Sequence, residues 1–215
     1  MSAGRAVLLD LDGTLADSRP GIEACFRHML AELGHDPAAA GDLRFAVGPP
    51  IAVSVRTLLG RYGDDRVDLG LSTYRERYST VGLYECSVFP GIAGMLAALK
   101  DAGRALCVAT SKRRDFADRV VDHLGLRPYL PKVYGALPGG GLDDKKDLLA
   151  EILRVEGFDA ATTTMVGDRL HDIHAAQVNA LRSIGVLWGY GGQVELQKAG
   201  ADVIVSMPAD VVGLV

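Results

Sequence analysis

Hydrophobic and polar positions follow two rhythms along this chain, and together they predict strands that alternate with helices. From residue 90 onward, short apolar runs are separated by stretches in which apolar residues recur every three or four positions. With the apolar run near the N-terminus, the predicted strands are Ala6–Leu9, Arg104–Ala109, Lys132–Gly135, Thr163–Val166, Ser183–Leu187 and Asp202–Val205. The predicted helices between them are Gly91–Asp101, Arg114–Leu124, Lys145–Glu156 and His171–Asn179. Such alternation is typical of βαβ units, so we expect an α/β fold with a parallel sheet of about five or six strands.

Residues from about 17 to 88 break this alternation. Helical periodicity covers Glu23–Leu33, Ile51–Leu59 and Val67–Tyr78, with glycine and proline between these segments and no strand pattern. A chain of 215 residues is long enough for one large domain with a smaller insert. We therefore expect a core formed by residues 1–16 and 89–215, and an all-helical inserted domain formed by residues 17–88.

Composition narrows the class of protein. The chain is 48% hydrophobic and 23% charged, which suits a globular enzyme, and its net charge of −4 argues against a nucleic-acid partner. It has three cysteines, Cys25, Cys86 and Cys107, and this small, odd number disfavours a disulfide framework. We recognise no signal peptide and no apolar run near the ~20 residues that span a bilayer, so we expect a cytoplasmic protein without a membrane partner.

Two carboxylates stand where the first predicted strand ends. Asp10 and Asp12 follow the apolar run Ala6–Leu9, and Gly13 then lets the backbone turn. Placing two acids at the end of a buried strand is costly unless a cation or a reaction uses them. An ordinary Asp-Gly turn would explain Asp12 but not Asp10.

Further polar residues follow two other predicted strands. Thr110-Ser-Lys112 comes after Arg104–Ala109, and hydroxyls and free amides at that position suit an anion such as phosphate, although a plain polar strand end is an equal alternative. Asp168 follows Thr163–Val166 and Gly167, and Asp172 lies four residues later. These oxygen ligands suit Mg²⁺.

Two histidines and one lysine on the predicted helices are further candidates for a functional site. His171 and His174 lie three residues apart, but no third ligand has an evident place nearby, which disfavours a transition-metal site. Lys145 shares the apolar helix face of Leu148, Leu149 and Ile152, whereas Lys146 falls toward its edge. A cation that points inward near a helix N-terminus opposes the macrodipole, so we expect an anion beside Lys145, unless its stem carries the ammonium out to solvent.

Because ligands of open α/β sheets bind at the carboxyl ends of the strands, these residues should meet at one edge. Together they resemble the haloacid dehalogenase superfamily, and within it the Mg²⁺-dependent phosphatases with a helical cap. The resemblance covers nearly the whole chain and rests on these segments: Asp10-Leu-Asp-Gly-Thr14, Thr110-Ser-Lys112, Lys145, Gly167-Asp168 with Asp172, Trp188-Gly-Tyr-Gly191 and Ala199-Gly-Ala-Asp202. It implies a Rossmann-like core and a four-helix-type cap that closes over the site.

The resemblance also implies roles for these residues. Asp10 would be the nucleophile that forms an aspartyl-phosphate, and Asp12 the general acid and then the general base. Mg²⁺ would be held by Asp10, by the backbone carbonyl of Asp12 and by Asp168, with Asp172 in support.

The phosphoryl group has its own expected ligands. By the same resemblance Thr110 and Lys145 would bind the non-bridging phosphoryl oxygens, with Ser111 and Gly13 as further substrate-binding positions. Attack by a carboxylate on a phosphate dianion requires positive charge that offsets the repulsion.

Within this superfamily the chain is similar to the phosphoglycolate phosphatase group, and more narrowly to its 5′-nucleotidase-like branch. Many relatives carry Lys-Pro where this chain has Lys145-Lys146, and here the lysine follows the glycine-rich loop Gly139–Gly141. The loop Val47-Gly-Pro-Pro50 also fits the group, and fits equally well a rigid connection between helices. We expect a small phosphorylated substrate, nucleoside 5′-monophosphates before 2-phosphoglycolate.

Other functions share part of this pattern. A phospho-accepting receiver domain also combines acids, a hydroxyl and a lysine on a parallel sheet, but the pair Asp10 and Asp12 and the helical insert disfavour it. A dehalogenase needs neither Mg²⁺ nor Asp12. A sugar-phosphate mutase would keep every motif, so sequence separates it least well, and a monomer and a dimer are both open.

Overall fold

The computed structural model of the protein describes residues 5–137 and 140–215, and it divides the chain into two compact units. The first unit contains the described residues up to Asp17 and those from Val88 to Val215; the second is Ser18–Ser87. Of the loop predicted at Gly139–Gly141, Gly139 lies outside the described residues. In the described part of the chain no helix is both long and apolar enough to cross a bilayer.

The first unit is built on a parallel sheet. The strands of the described residues are β1 (Ala6–Leu9), β2 (Ala16–Asp17), β3 (Ser87–Val88), β4 (Ala105–Arg113), β5 (Lys132–Ala136), β6 (Thr163–Gly167), β7 (Arg182–Val186) and β8 (Val203–Val205). Six of them form one sheet in the order β5-β4-β1-β6-β7-β8, in which every pair is parallel. Strands β2 and β3 form a separate two-stranded sheet. The prediction of an α/β fold on a parallel sheet of five or six strands is therefore confirmed.

Helices complete both units. They are α1 (Arg19–Glu32), α2 (Ile51–Gly60), α3 (Val67–Thr80), α4 (Ile92–Asp101), α5 (Arg114–His123), α6 (Lys145–Glu156), α7 (Leu170–Val178), α8 (Gly192–Ala199) and α9 (Pro208–Val212). The first three, with short 3₁₀ helices at Pro37–Ala40, Arg44–Ala46 and Gly82–Tyr84, form the second unit. The four-helix-type cap that the resemblance implied is thus wrong in detail, because this unit has three α-helices within the described residues.

The register of the central strands explains which side chains share a face. Leu8 of β1 lies opposite Cys107 of β4 and Met165 of β6, so these three side chains form one row across the sheet. Helices α6 and α7 pack on this row through a buried cluster that includes Leu148, Leu149, Ile152, Ala175 and Ala176. Since side chains alternate along a strand, the residue two places after Leu8 points to the face that carries α6 and α7. That residue is Asp10.

Candidate active site

Asp10 and Asp12 lie directly beyond the central strand. The Asp10 N–H donates to the Val166 carbonyl at 3.0 Å, which continues the pairing of β1 with β6 for one more residue. Gly13 then adopts a φ of +91° and its N–H donates to the Ala16 carbonyl, so the chain turns back at once. Both carboxylates are buried, with Asp10 6% and Asp12 8% exposed.

Lys145, in the first turn of α6, extends to Asp10. Its Nζ lies 2.8 Å from Asp10 Oδ1 and also forms an ion pair with Asp172 Oδ1. Asp144 caps the helix by accepting from the Lys146 N–H, and Lys146 Nζ lies 3.0 Å from Asp144 Oδ2 on the exposed side. The prediction that Lys145 points inward beside an anion is confirmed, because Lys145 is only 6% exposed and contacts two carboxylates. Lys146, which was predicted toward the edge of the apolar face, is exposed.

The turn from β6 into α7 supplies two more acids. Asp172 Oδ2 accepts from the Arg169 N–H at 3.0 Å and so caps the helix, which leaves its other oxygen for Lys145. Asp168 is fully buried; its Oδ2 accepts from the Tyr190 N–H at 2.8 Å, while Thr14 Oγ1 lies at a long 3.4 Å from Oδ1.

Asp10, Asp168 and Asp172 form a cluster that fits a divalent metal. Each offers one carboxylate oxygen, and these atoms lie within 4.8 Å of one another. Burial raises the pKa of Asp10 from 3.8 to about 6, because the attraction of Lys145 is offset in part by the neighbouring acids. Burial, with the charges of Asp172 and Asp10, raises the pKa of Asp168 well above its usual value. A hard cation would offset this repulsion, and carboxylate oxygens are the ligands that Mg²⁺ prefers.

Other candidate ligands lie outside this cluster. The Asp12 side chain is turned to Lys112, which leaves only its backbone carbonyl for the metal role that the resemblance implied. His171 and His174 are exposed on α7.

Two of the predicted phosphate-binding residues, Thr110 and Ser111, lie on β4. Thr110 is 2% exposed and is paired in register with Gly135 of β5, and Ser111 after it is half-buried. The strand was expected to end at Ala109, which is wrong: it continues to Arg113 after a shift of register. The shift fits Gly135, since a Cβ there would lie 2.4 Å from the Lys112 carbonyl oxygen.

Lys112 was named in the segment Thr110-Ser-Lys112, but no role in the site was predicted for it. Its Nζ lies 2.6 Å from Asp12 Oδ1, and the two side chains are only 7% and 12% exposed. The position of Lys112, two residues after Thr110 at the end of a predicted strand, was the signal available in the sequence.

Two glycines allow Asp168 to approach the turn after β1. A Cβ on Gly13 would lie 2.3 Å from Asp168 Oδ2, and one on Gly189 would lie 2.3 Å from both Asp168 Cβ and the Gly13 carbonyl oxygen. Any larger residue would have to displace this carboxylate or the backbone beside it. Gly189 was not a predicted site residue, because Gly13, whose carbonyl oxygen it approaches, lies in a distant part of the sequence.

Comparison with known proteins shows the family of this chain. The family model for haloacid dehalogenase-like hydrolases matches residues 7–186, and the chain belongs to that family. The chain is 38% identical over 193 residues to a 5′-nucleotidase of Pseudomonas aeruginosa, covering 89% of this chain and 86% of that protein. It is 34% identical over 205 residues to a phosphoglycolate phosphatase of Neisseria meningitidis, covering 92% and 86%.

Two further similarities complete the comparison. The tyrosine-protein kinase PtkA of Mycobacterium tuberculosis is 37% identical over 200 residues, covering 92% of this chain and 67% of the kinase. The crystal structure of a predicted phosphatase from Clostridium acetobutylicum superposes with a TM-score of 0.89 at 32% identity, covering 99% of this chain and 98% of that one. The predicted superfamily and the predicted enzyme class, a phosphatase of the phosphoric monoester hydrolases, are confirmed.

Proposed function

We propose that this protein is a Mg²⁺-dependent phosphomonoesterase in which Asp10 forms an aspartyl-phosphate, with the first unit as its catalytic core and the second as its cap. The observation that carries the proposal is the placement of Asp10 at the carboxyl end of the central strand, 2.8 Å from Lys145. A nucleophilic carboxylate needs nearby positive charge if it is to approach a phosphate dianion. Lys145 supplies one such charge.

Asp10 and Asp12 have different roles in the proposed reaction. An Asp10 oxygen attacks phosphorus while the bond from phosphorus to the substrate alkoxide breaks, and Asp12 gives its proton to that alkoxide. In the second step Asp12 takes a proton from water as the water oxygen attacks phosphorus and releases Asp10. The contact of Lys112 Nζ with Asp12 Oδ1, at 2.6 Å, would hold the Asp12 side chain in one orientation for both proton transfers.

The remaining residues bind the transferred group. Thr110 and Lys145 are proposed ligands of the non-bridging phosphoryl oxygens, and the chain at Ser111 and Gly13 completes this pocket. Asp10, Asp168 and the Asp12 carbonyl would hold Mg²⁺, with Asp172 in support. When bound, the metal supplies positive charge that screens the phosphoryl oxygens from the acids.

For the substrate we propose a small phosphorylated metabolite of the nucleoside 5′-monophosphate class, with 2-phosphoglycolate as the second candidate. The support is the identity of 38% to a 5′-nucleotidase against 34% to a phosphoglycolate phosphatase. The test compares kcat/KM for the common 5′-mononucleotides with that for 2-phosphoglycolate. A preference for phosphoglycolate of about tenfold, roughly 1.4 kcal/mol in transition-state binding, would reverse the assignment.

The chemistry is tested by Mg²⁺-dependent hydrolysis of an aryl phosphate. We expect Asp10→Asn to lower kcat by about 10⁴-fold or more, since it removes the nucleophile with little change of shape. The matched control is Asp147→Asn, which removes the same charge from the exposed side of α6 and should behave like the wild type. Full activity of Asp10→Asn, or of the wild type in excess chelator, would contradict the proposal.

The acceptor of the phosphoryl group decides between the remaining alternatives. A phosphatase releases one phosphate for each substrate consumed, whereas a mutase returns an isomer of the substrate. A kinase, the name carried by one relative, transfers the group to a protein hydroxyl. A receiver-like domain would keep the phosphoryl group on Asp10 without turnover. Phosphate release in equal amount to substrate consumed is the expected result.

A further inference from the structure

The loop that follows β7 contacts the site at several points, although the proposed chemistry does not use it. This segment, Trp188-Gly-Tyr-Gly191, is called the Trp188–Gly191 loop below. The Trp188 Nε1–H donates to the Thr14 carbonyl at 2.9 Å, in the turn that begins at Gly13. The loop is therefore attached to the segment that carries Asp10 and Asp12.

Tyr190 makes two hydrogen bonds from one residue to two different places. Its backbone N–H donates to Asp168 Oδ2 at 2.8 Å, and its phenol donates to Asp17 Oδ1 at 2.8 Å. Asp168 is a proposed metal ligand, and Asp17 is the last residue of the first unit before the chain enters the second. Tyr190 thus connects Asp168, the proposed metal ligand, with Asp17 at the end of β2.

Close packing leaves the loop little freedom beside Asp168. A Cβ on Gly189 would lie 2.3 Å from Asp168 Cβ, and one on Gly191 would lie 2.2 Å from the Asp168 carbonyl oxygen. On the far side of the loop, Glu195 of α8 accepts from the Leu170 N–H at 2.9 Å and from Arg169 Nε at 2.8 Å. The loop is therefore held at both ends against the turn between β6 and α7.

From these contacts we propose that Tyr190 is a positioning residue: its bond to Asp17 fixes the Trp188–Gly191 loop so that the loop N–H orients Asp168 for Mg²⁺. This inference rests on the proposed function, because it takes Asp168 as a metal ligand. The physical reason is preorganisation, since a carboxylate that is already oriented loses less freedom when it binds a cation. The bond to Asp17 therefore contributes to metal affinity through Asp168, without contact with the metal or the substrate.

The test is the Mg²⁺ affinity of the protein, measured by calorimetric titration in the absence of substrate. Tyr190→Phe keeps the backbone N–H and removes the phenol oxygen that donates to Asp17, and we expect its Kd for Mg²⁺ to rise about tenfold. The KM for an aryl phosphate at saturating Mg²⁺ should stay unchanged, because Tyr190 does not bind the substrate. The matched control is Tyr134→Phe, which removes a phenol bond of the same kind, to Glu156, elsewhere in the first unit.

Variants of Asp17 separate positioning from a general loss of structure. Asp17→Asn keeps an acceptor oxygen for the phenol, so its Kd should lie within about twofold of the wild type. Asp17→Ala should weaken Mg²⁺ binding as Tyr190→Phe does, and the double variant should be no weaker than either single one. Effects that multiply in the double variant would show that the two residues act independently, which would overturn the proposal.

The other possible results of the Mg²⁺ titration each support or overturn the proposed role of Tyr190. An unchanged Kd in Tyr190→Phe, an equal loss in Tyr134→Phe, or a wild type that binds no Mg²⁺ would each overturn the inference. A wild type that binds Mg²⁺ with the expected order of variants but hydrolyses no phosphate ester would support it and contradict the proposed function. The two proposals can therefore fail separately.

Discussion

The two units of this protein handle charge in opposite ways. Among the described residues, the charged residues that are buried as whole residues all belong to the first unit, namely Asp10, Asp12, Lys145, Asp168 and Asp172. In the second unit the ion pairs lie nearer the surface, and in one of them Arg77 and Glu85 are 21% and 38% exposed. The cost of removing charges from water is therefore concentrated in one place, which is what a reactive site requires.

Two carboxylates show the contrast at the level of single groups. Asp64 in the second unit accepts from the Arg66 guanidinium, the Arg66 backbone N–H and His35, and these bonds lower its pKa. Asp10 shares one lysine with Asp172, and burial raises its pKa to about 6. Asp64 is stabilised as an anion by several donors, whereas Asp10 is left short of positive charge.

The shortage of positive charge around Asp10 can be expressed as a number of charges. Around the site four acids, Asp10, Asp12, Asp168 and Asp172, face two ammonium groups, Lys112 and Lys145. Once Asp12 has given up its proton, four negative charges face two positive ones, and the excess of two is the charge of one Mg²⁺. The second unit has no such excess at Asp64, and we expect the two regions to respond differently to substitution.

The largest difference should come from removing the central ammonium group. Lys145→Met leaves Asp10 and Asp172 buried without their cation, so we expect kcat to fall about 10³-fold and the free energy of unfolding to fall by about 3–5 kcal/mol. Added Mg²⁺ should restore part of the stability. The measurements are aryl phosphate hydrolysis and urea unfolding with and without Mg²⁺.

Lys146→Met is the control, because Lys146 lies next in sequence but is exposed and forms its ion pair with Asp144. Its activity and stability should be close to those of the wild type. If the losses of the two variants were reversed, the assignment of Lys145 as the cation of the site would be wrong.

A smaller difference should separate two glycines with similar backbones. Gly13 in the first unit has φ +91° and Gly34 in the second has φ +84°, but only Gly13 has the Asp168 carboxylate within 2.3 Å of an added Cβ. Gly34→Ala should lower the free energy of unfolding by about 1 kcal/mol, because alanine tolerates a positive φ less well than glycine.

Gly13→Ala should lower the free energy of unfolding by about 1–3 kcal/mol more, because the added methyl group overpacks the site. It should also lower kcat about 100-fold, because it displaces Asp168. Urea unfolding and hydrolysis rates measure both effects. Equal stability and full activity in the two variants would show that Asp168 can move aside at little cost.

The sequence predicted the parts of this site that lie next to periodic elements. Asp10 and Asp168 follow apolar strands, and Lys145 lies within the apolar stripe of its helix, so periodicity alone places all three at one edge of the sheet. The tasks assigned to these residues came from the family resemblance and stay proposals.

The parts that were missed depend on contacts between distant positions. Lys112 and Asp12 are 100 residues apart, and Tyr190 and Asp17 are 173 apart, so no local pattern announces either contact. Helix α9 has five residues and α8 begins in a glycine-rich stretch, and neither is long enough for its period to stand out. Long-range contacts and short elements are the features that single-sequence periodicity does not encode.

The smallest and most specific prediction is an opposite pH response of Asp10 and Asp64 in the metal-free protein. Because the pKa of Asp10 is raised from 3.8 to about 6, the folded state binds a proton that the unfolded state releases. The free energy of unfolding should therefore fall as the pH rises from about 4 to about 6. Asp10→Asn should make this decline shallower and be more stable than the wild type at pH 7, with the remaining slope due to Asp168.

Asp64 should act with the opposite sign. Its lowered pKa means that its ionised form stabilises the fold above its usual pKa of 3.8, and that this contribution is lost as the pH falls below that value. Asp64→Asn should thus reduce stability at neutral pH and weaken the loss of stability in acid. Urea unfolding between pH 3 and pH 8 in excess chelator measures both variants. If Asp10→Asn proved less stable than the wild type at pH 7, the acids of the site would not be short of positive charge, and the contrast between the two units would have to be abandoned.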